Sequence, residues 1–248
     1  MLLNKLKFNA KKVDLFIKKY IKSQRKSLLI TPMNYGVLSG GKKIRSSIII
    51  ATGKLYKVNS TQLLNICGAV ECIHSYSLIH DDLPCMDNDK LRRGKPTAHI
   101  KFGESTAVLA GNSLLTLAFE MISDNRFKIK DKQKVLLIKK LAECSGHTGI
   151  AGGQELDLKY EKKRKKFQEI INMQRKKTGK LFSFCCFAPG QIAGRNKNEN
   201  KKLSKIGEDI GLLFQLADDF LDVKGKSKHT GKSVNKDKKK GKSTIINL

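Results

Sequence analysis

The sequence predicts an all-α fold, a helical bundle, on three observations. Only four prolines interrupt the 248 residues, apolar residues recur at helical spacing along most of the chain, and strand-like alternation is hard to find. The periodic segments lie near 11–24, 43–57, 61–82, 104–123, 131–150, 166–188 and 199–223. Short polar or glycine-bearing turns separate them, as expected between helices of a bundle.

The first segment follows an N-terminus, Met1 to Ala10, with no apolar stretch leading to a small-residue cleavage site. The second opens within Gly40-Gly41-Lys42-Lys43-Ile44-Arg45. The third begins near Gln62 and stays apolar as far as His80-Asp81-Asp82, where Pro84, with no N–H to donate, ends it. The last segment carries Phe214 to Asp222, and the lysine-rich tail after it reads as a loop followed by the start of another helix before Leu248. With 40% hydrophobic residues, a chain of this length suits one core, so residues 1–248 are expected to form a single domain. No run of about 18 apolar residues occurs, so no membrane span is expected and the chain reads as cytoplasmic.

The net charge of +28 would by itself suggest a polyanionic partner. Only eight of the 50 basic residues are arginine, however, and the excess lysine is scattered among Asn and Ile. Phosphate grip favours arginine forks, and strand stacking favours aromatics, which are 6% of the chain. The charge therefore reads mainly as solvated surface, densest at 162–166 and 236–242, and no specific nucleic-acid partner is expected. The six cysteines show no C-x-x-C spacing and sit mostly in apolar helical text, so they read as reduced core residues rather than a zinc or disulfide framework.

Two aspartate constellations carry the chemistry. Asp81, Asp82 and Asp87 gather at the end of the third segment, giving hard oxygen ligands whose mutual repulsion a multivalent cation relieves, with magnesium the natural partner. Alone, aspartates before a proline read equally well as a solvated turn. In the last segment Asp218 and Asp222 stand at i and i+4 and share a face, with Asp219 expected to point aside. Three acids in an apolar helix are costly without counter-charge. Two such helices in one chain suggest a shared cluster of metal ions. Cationic, glycine-bearing segments surround these acids: Gly40 to Arg45, Leu91-Arg92-Arg93-Gly94, Lys177-Thr178-Gly179, Gly231-Lys232-Ser233 and Gly241-Lys242-Ser243-Thr244. Magnesium with arginine and lysine makes a receptor for diphosphate. A P-loop reading of 241–244 fails, because position 236 is Lys and no strand precedes.

The ordered set G-G-K-x-x-R, D-D-x-x-x-x-D, L-R-R-G, G-G-Q-E-L-D-L (Gly152 to Leu158), K-T-G, F-Q-x-x-D-D-x-x-D and G-K resembles the short-chain trans-prenyl diphosphate synthases, most closely the bacterial farnesyl diphosphate synthases, from about residue 36 to 246. The resemblance implies a bundle of the isoprenoid synthase type, its central cavity lined by the two aspartate-rich helices. It implies magnesium, three ions per site, held by Asp81, Asp87 and Asp218 with Asp82 and Asp222 in support. Arg92, Lys177, Lys232 and Lys242 would pair with the allylic diphosphate, and Thr178, Gln215 and the Lys177 carbonyl would shield the cation. Lys42, Arg45, His74 and Arg93 would hold isopentenyl diphosphate; without the resemblance, His74 reads as a hydrogen-bonded histidine on a half-buried face. Tyr76, five residues before Asp81, would close the floor of the prenyl pocket and favour a C15 product. A homodimer is implied as well. Members of the family continue for several tens of residues beyond the Gly-Lys-Ser-Thr segment, so C-terminal helices are expected to be missing here. The rival readings are a degenerate, non-catalytic synthase subunit, which would usually lose an aspartate motif, and a basic nucleic-acid-binding helical protein.

Overall fold

The computed structural model describes residues 2–224 and 244–245, and among them the chain is helical apart from one two-stranded ribbon. Lys232 and Lys242 lie outside the described residues. Two compact units are distinguished: Met1–Ile138 with Ala188–Arg195, and Lys139–Phe187 with Asn196–Leu248.

In the first unit the helices are α1 (Leu2–Lys22), α2 (Ile30–Val37), α3 (Ile44–Leu55), α4 (Ser60–Asp81), α5 (Ala98–Phe102) and α6 (Glu104–Ser123), with strands β1 (Leu91–Arg92) and β2 (Lys95–Pro96) between α4 and α5. α4 begins on an Asn59 cap, whose side chain accepts a hydrogen bond from the Thr61 amide at 2.8 Å. It is buried along most of its length, packing against α6 on one side and α3 on another. α6 is long and apolar enough, by length and composition, to cross a membrane. Here Ala107, Ala110, Leu114, Ala118 and Met121 are buried, while Asn112, Thr116 and Glu120, at successive i+4 steps, face solvent. That is the pattern of a core helix.

α7 (Asp131–Ser145) leads into the second unit, which holds α8 (Ile150–Tyr160), α9 (Phe167–Gln174), a π-helical turn at Arg175–Gly179, the start of α10 (Lys180–Ile192) and α11 (Lys197–Lys224). α8 and α11 both pack on the π turn. Gly153 explains how α8 comes so close: a Cβ there would lie 2.2 Å from the Lys177 amide nitrogen. Arg175 pairs with Asp209 at 2.9 Å and Lys180 with Glu208 at 3.0 Å, tying the π turn to α11.

The all-α expectation holds, and five of the seven periodic segments match helices to within about five residues at each end. α1 starts nine residues before the expected boundary. The 166–188 segment is divided by the π turn, and α2, α5 and α8 were not anticipated as separate helices. α2 is short and carries Pro32 in its first turn, where no backbone N–H is needed; α8 opens near a Gly-Gly pair that hides its periodicity. All six cysteines are free, and only Cys85 is exposed. Burial pushes the Cys72 thiol up to about 12, so it stays protonated and inert.

Candidate functional site

The first carboxylate group is built by the way α4 ends. Beyond Asp81 the chain turns back on itself: the Asp87 amide donates to the Asp81 carbonyl at 2.8 Å, and the Asp89 amide to that of Asp82 at 3.2 Å. This fold-back brings Asp87 beside Asp81, with both side chains half-buried. Asp82 is buried and is gripped by Arg92 of β1. Nε of Arg92 lies 2.9 Å from both carboxylate oxygens and Nη2 lies 2.6 Å from Oδ1. Asp89, also buried, stands 4.0 Å from the same guanidinium. Burial works against the Arg92 charge, but the bond to Asp82 and the negative charge of Asp82, Asp81 and Asp89 more than restore it and raise its pKa.

Arg92 owes its position to the ribbon, in which Leu91 pairs with Pro96 and Arg92 with Lys95. The two residues of its turn, Arg93 and Gly94, have φ of 52° and 73°. Such a two-residue hairpin requires positive φ at both positions, which costs Arg93 backbone strain that its contacts must offset. Those contacts are the Gly40 carbonyl and the Ser39 hydroxyl, both accepting from Arg93 Nη1. Gly41, at φ 109°, adopts backbone that a larger residue would strain to take, and a Cβ there would fall 2.8 Å from the Arg93 guanidinium and push it aside. The G-G-K-x-x-R and L-R-R-G motifs thus meet in the first unit.

Behind them runs a buried network that sequence reasoning missed. Lys43 Nζ donates to the Val37 carbonyl at 2.8 Å and stands 3.4 Å from both Glu71 and Asp14. Ser46 donates to Glu71 at 2.6 Å. Lys43 caps α3 in a left-handed conformation, φ 46°, so this pair fixes the chain between exposed Lys42 and half-buried Arg45. His74 lies on α4 among these cations. Burial, then Arg45, Arg93, Lys43 and Arg92, hold its pKa well below the ordinary value, so its imidazole is neutral and one ring nitrogen is a donor without charge. Tyr76 is buried and packs edge-on against His80, with ring centroids 5.8 Å apart; His80 is anchored by the Val108 carbonyl 3.1 Å away. Burial, with Asp81 nearby, pushes the Tyr76 hydroxyl up to about 12.

The second group is arranged differently. Asp218 is exposed and Asp222 half-buried. Asp219, expected to point aside, is the buried member: Gln174 Nε2 donates to its Oδ2 at 2.7 Å and Gln215 Nε2 to its Oδ1 at 2.8 Å. Gln215 in turn accepts from the Thr178 hydroxyl at 2.9 Å. Lys177, on the π turn, donates to buried Asp157 of α8 at 2.7 Å, a partner the sequence held in the G-G-Q-E-L-D-L motif without revealing its role. In that motif Gln154 has both amide atoms buried without a hydrogen-bond partner, and Gln174 Oε1 shares that condition. Orphan amides of this kind mark places where a bound group or water completes the structure.

Among the described residues no three His, Cys, Asp or Glu side chains are spaced to hold a metal ion by themselves. That suits magnesium, which keeps several waters and takes one or two carboxylates together with substrate phosphate oxygens. Asp81 with Asp87, and Asp218 with Asp222, are carboxylate pairs of the hard-oxygen kind that could hold it.

A family model described as polyprenyl synthetase matches residues 26–248. The farnesyl diphosphate synthase of Escherichia coli is 44% identical over 87% of this chain and 73% of its own length. A crystal structure of an FPP/GFPP synthase from Zymomonas mobilis is 39% identical, with a TM-score of 0.84 over 91% of this chain and 84% of that one. A geranyltransferase of Helicobacter pylori, solved with magnesium and isoprenyl diphosphate, is 33% identical with a TM-score of 0.83, covering 98% of this chain and 83% of the other.

Proposed function

The chain belongs to the polyprenyl synthetase family, and from that premise we propose that it is a magnesium-dependent prenyltransferase. It joins isopentenyl diphosphate to dimethylallyl and then geranyl diphosphate to give farnesyl diphosphate. The observation that carries this reading is the 44% identity to a farnesyl diphosphate synthase, in a chain that keeps both aspartate sets.

Asp81, Asp87 and Asp218, supported by Asp82 and Asp222, would hold magnesium, in three ions, and Arg92 and Lys177 would bind the allylic diphosphate, a role we assign to Lys232 and Lys242 as well. The metal supplies positive charge that stabilises departing diphosphate. As the allylic C–O bond breaks, its electron pair leaves with the diphosphate, and Arg92 and Lys177 neutralise the charge that develops. Both are held by aspartates, Asp82 and Asp157, so they are placed before substrate arrives. The Thr178 hydroxyl, the Gln215 amide and the Lys177 carbonyl present oxygen to the allylic cation. Lys42, Arg45, Arg93 and neutral His74 hold the diphosphate of isopentenyl diphosphate, whose double bond attacks the cation. A new C–C bond forms, and the released diphosphate takes the proton. Tyr76 limits the product to C15. We propose further that the protein works in the cytoplasm as a homodimer.

The test is incubation of the purified chain with labelled isopentenyl diphosphate, geranyl diphosphate and magnesium. A C15 alcohol after dephosphorylation, absent when magnesium is chelated, is the expected result. A correctly folded chain giving no prenyl product would reject the reading in favour of the degenerate subunit.

A further inference from the structure

We infer that the outer face of α1 docks the protein on anionic lipid bilayers. The inner face of α1 is buried through Val13, Ile17, Tyr20 and Ile21 and packs on α3 and α4. The opposite face is not the polar surface that such a helix normally turns to water. Phe8 and Leu15, seven residues and so two turns apart on one stripe, are 59% and 50% exposed; Leu3, at the start of the helix, and Leu28, beyond its end, are also exposed. Lysine surrounds them: nine of the first 26 residues are Lys or Arg, every one exposed. The single acid of this segment, Asp14, lies 3.4 Å from Lys43 Nζ. Lys12 Nζ sits 4.6 Å from the centre of the Phe8 ring, a contact that partly covers the ring and that a lipid surface would replace.

Beside this face opens a groove of about 610 Å³, whose α1 wall carries Leu3, Leu6, Leu15, Lys7, Lys11 and Lys18 with Asp14, and whose far wall is Leu38, Gly41 and Lys42, the last assigned above to isopentenyl diphosphate. Residues 1–25 fall outside the family match, and none of the residues assigned above to substrate or metal lies among them. Exposed apolar side chains set in a lysine field are what an interfacial helix needs, the first to enter the headgroup boundary and the second to meet anionic headgroups. A second copy of the chain is a poor occupant, because a two-fold contact through this face would press lysine against lysine. A nucleic acid would satisfy the charge but leave the leucines uncovered, and the segment offers one arginine, Arg25.

The experiment is flotation of the full chain with phosphatidylcholine vesicles and with equimolar phosphatidylcholine and phosphatidylglycerol vesicles. The chain is expected to float only with the anionic vesicles and to be released by high salt. Lys11→Ser/Lys18→Ser should weaken binding about fivefold per lysine removed. Phe8→Ser/Leu15→Ser should weaken it about tenfold, since two exposed apolar side chains no longer enter the lipid. Both variants should keep the parent melting temperature and prenyl transfer from soluble substrates. Equal flotation with neutral vesicles, no flotation with anionic ones, or unchanged binding by folded Phe8→Ser/Leu15→Ser would overturn the inference. So would a loss in these same variants of equally tight duplex RNA binding, or of dimerisation, in place of lipid binding.

Discussion

The two aspartate sets solve the same electrostatic problem with different means. At the end of α4 the buried carboxylate, Asp82, is neutralised by a guanidinium in a two-point grip. In α11 the buried carboxylate, Asp219, is held by two neutral amides from Gln174 and Gln215, while Lys177, on the π turn against which α11 packs, is engaged by Asp157. In each set the buried acid is tied down and a neighbour, Asp81 or Asp218, is left more accessible. Adjacent acids in a sequence are thus not equivalent: one is buried and held, and the other lies nearer solvent.

The strongest way to break this comparison is to remove the accessible members. Asp81→Ala and Asp218→Ala are each expected to lower turnover by about a hundredfold or more at saturating magnesium, with helical content retained. Near-normal steady-state rates in either variant would sink the assignment of that set.

The second contrast is in stability. Arg92→Ala leaves a buried carboxylate without its counter-charge, so we expect a loss of about 3 kcal/mol in denaturant unfolding. Gln174→Ala removes one of two amides from Asp219 and should cost about 1.5 kcal/mol. Equal losses would show that charge and amide are interchangeable at the two sites.

A third prediction changes the product more than the rate. Tyr76→Ala should lengthen the product past C15, with geranyl diphosphate turnover kept within a few-fold, because the ring lies more than a helical turn before Asp81 and its removal opens apolar space that another isoprene unit can fill. An active variant still giving only the C15 alcohol would place the floor elsewhere.

The smallest effect concerns pH. His74 has a folded-state pKa well below the ordinary 6.5. Its contribution to stability is therefore complete above that value and is lost as pH falls from 6.5 through the folded pKa, because there the unfolded chain binds a proton that the folded chain does not. His74→Gln should flatten the fall in unfolding free energy on acidification below 6.5, by no more than about 1.4 kcal/mol per pH unit. Identical slopes in parent and variant would mean that His74 titrates normally.

Much of this protein was legible in its residues. The 3.6-residue apolar period made the helices visible, Pro84 marked the end of α4, and the spacing of acids and cations pointed to metal and diphosphate, because these features depend on local backbone geometry and on the chemistry of each side chain. What sequence could not tell was which polar groups would share burial. Lys43 with Glu71, Arg92 with Asp82, Lys177 with Asp157 and Gln174 with Asp219 are separated by 28, 10, 20 and 45 positions, and local periodicity says nothing about partners that distant. Asp218 and Asp219 are chemically identical neighbours, and only the packing of α11 against the π turn decides that the second is buried and bound. The π turn was hidden for a similar reason, since it lies where Gly153 of α8 approaches Lys177 closely, a contact between residues 24 positions apart. Pattern determined the helices and the kind of chemistry; tertiary burial decided which of the charges are buried with a partner and which lie nearer the surface, because the cost of an uncompensated charge depends on surroundings that the fold alone creates.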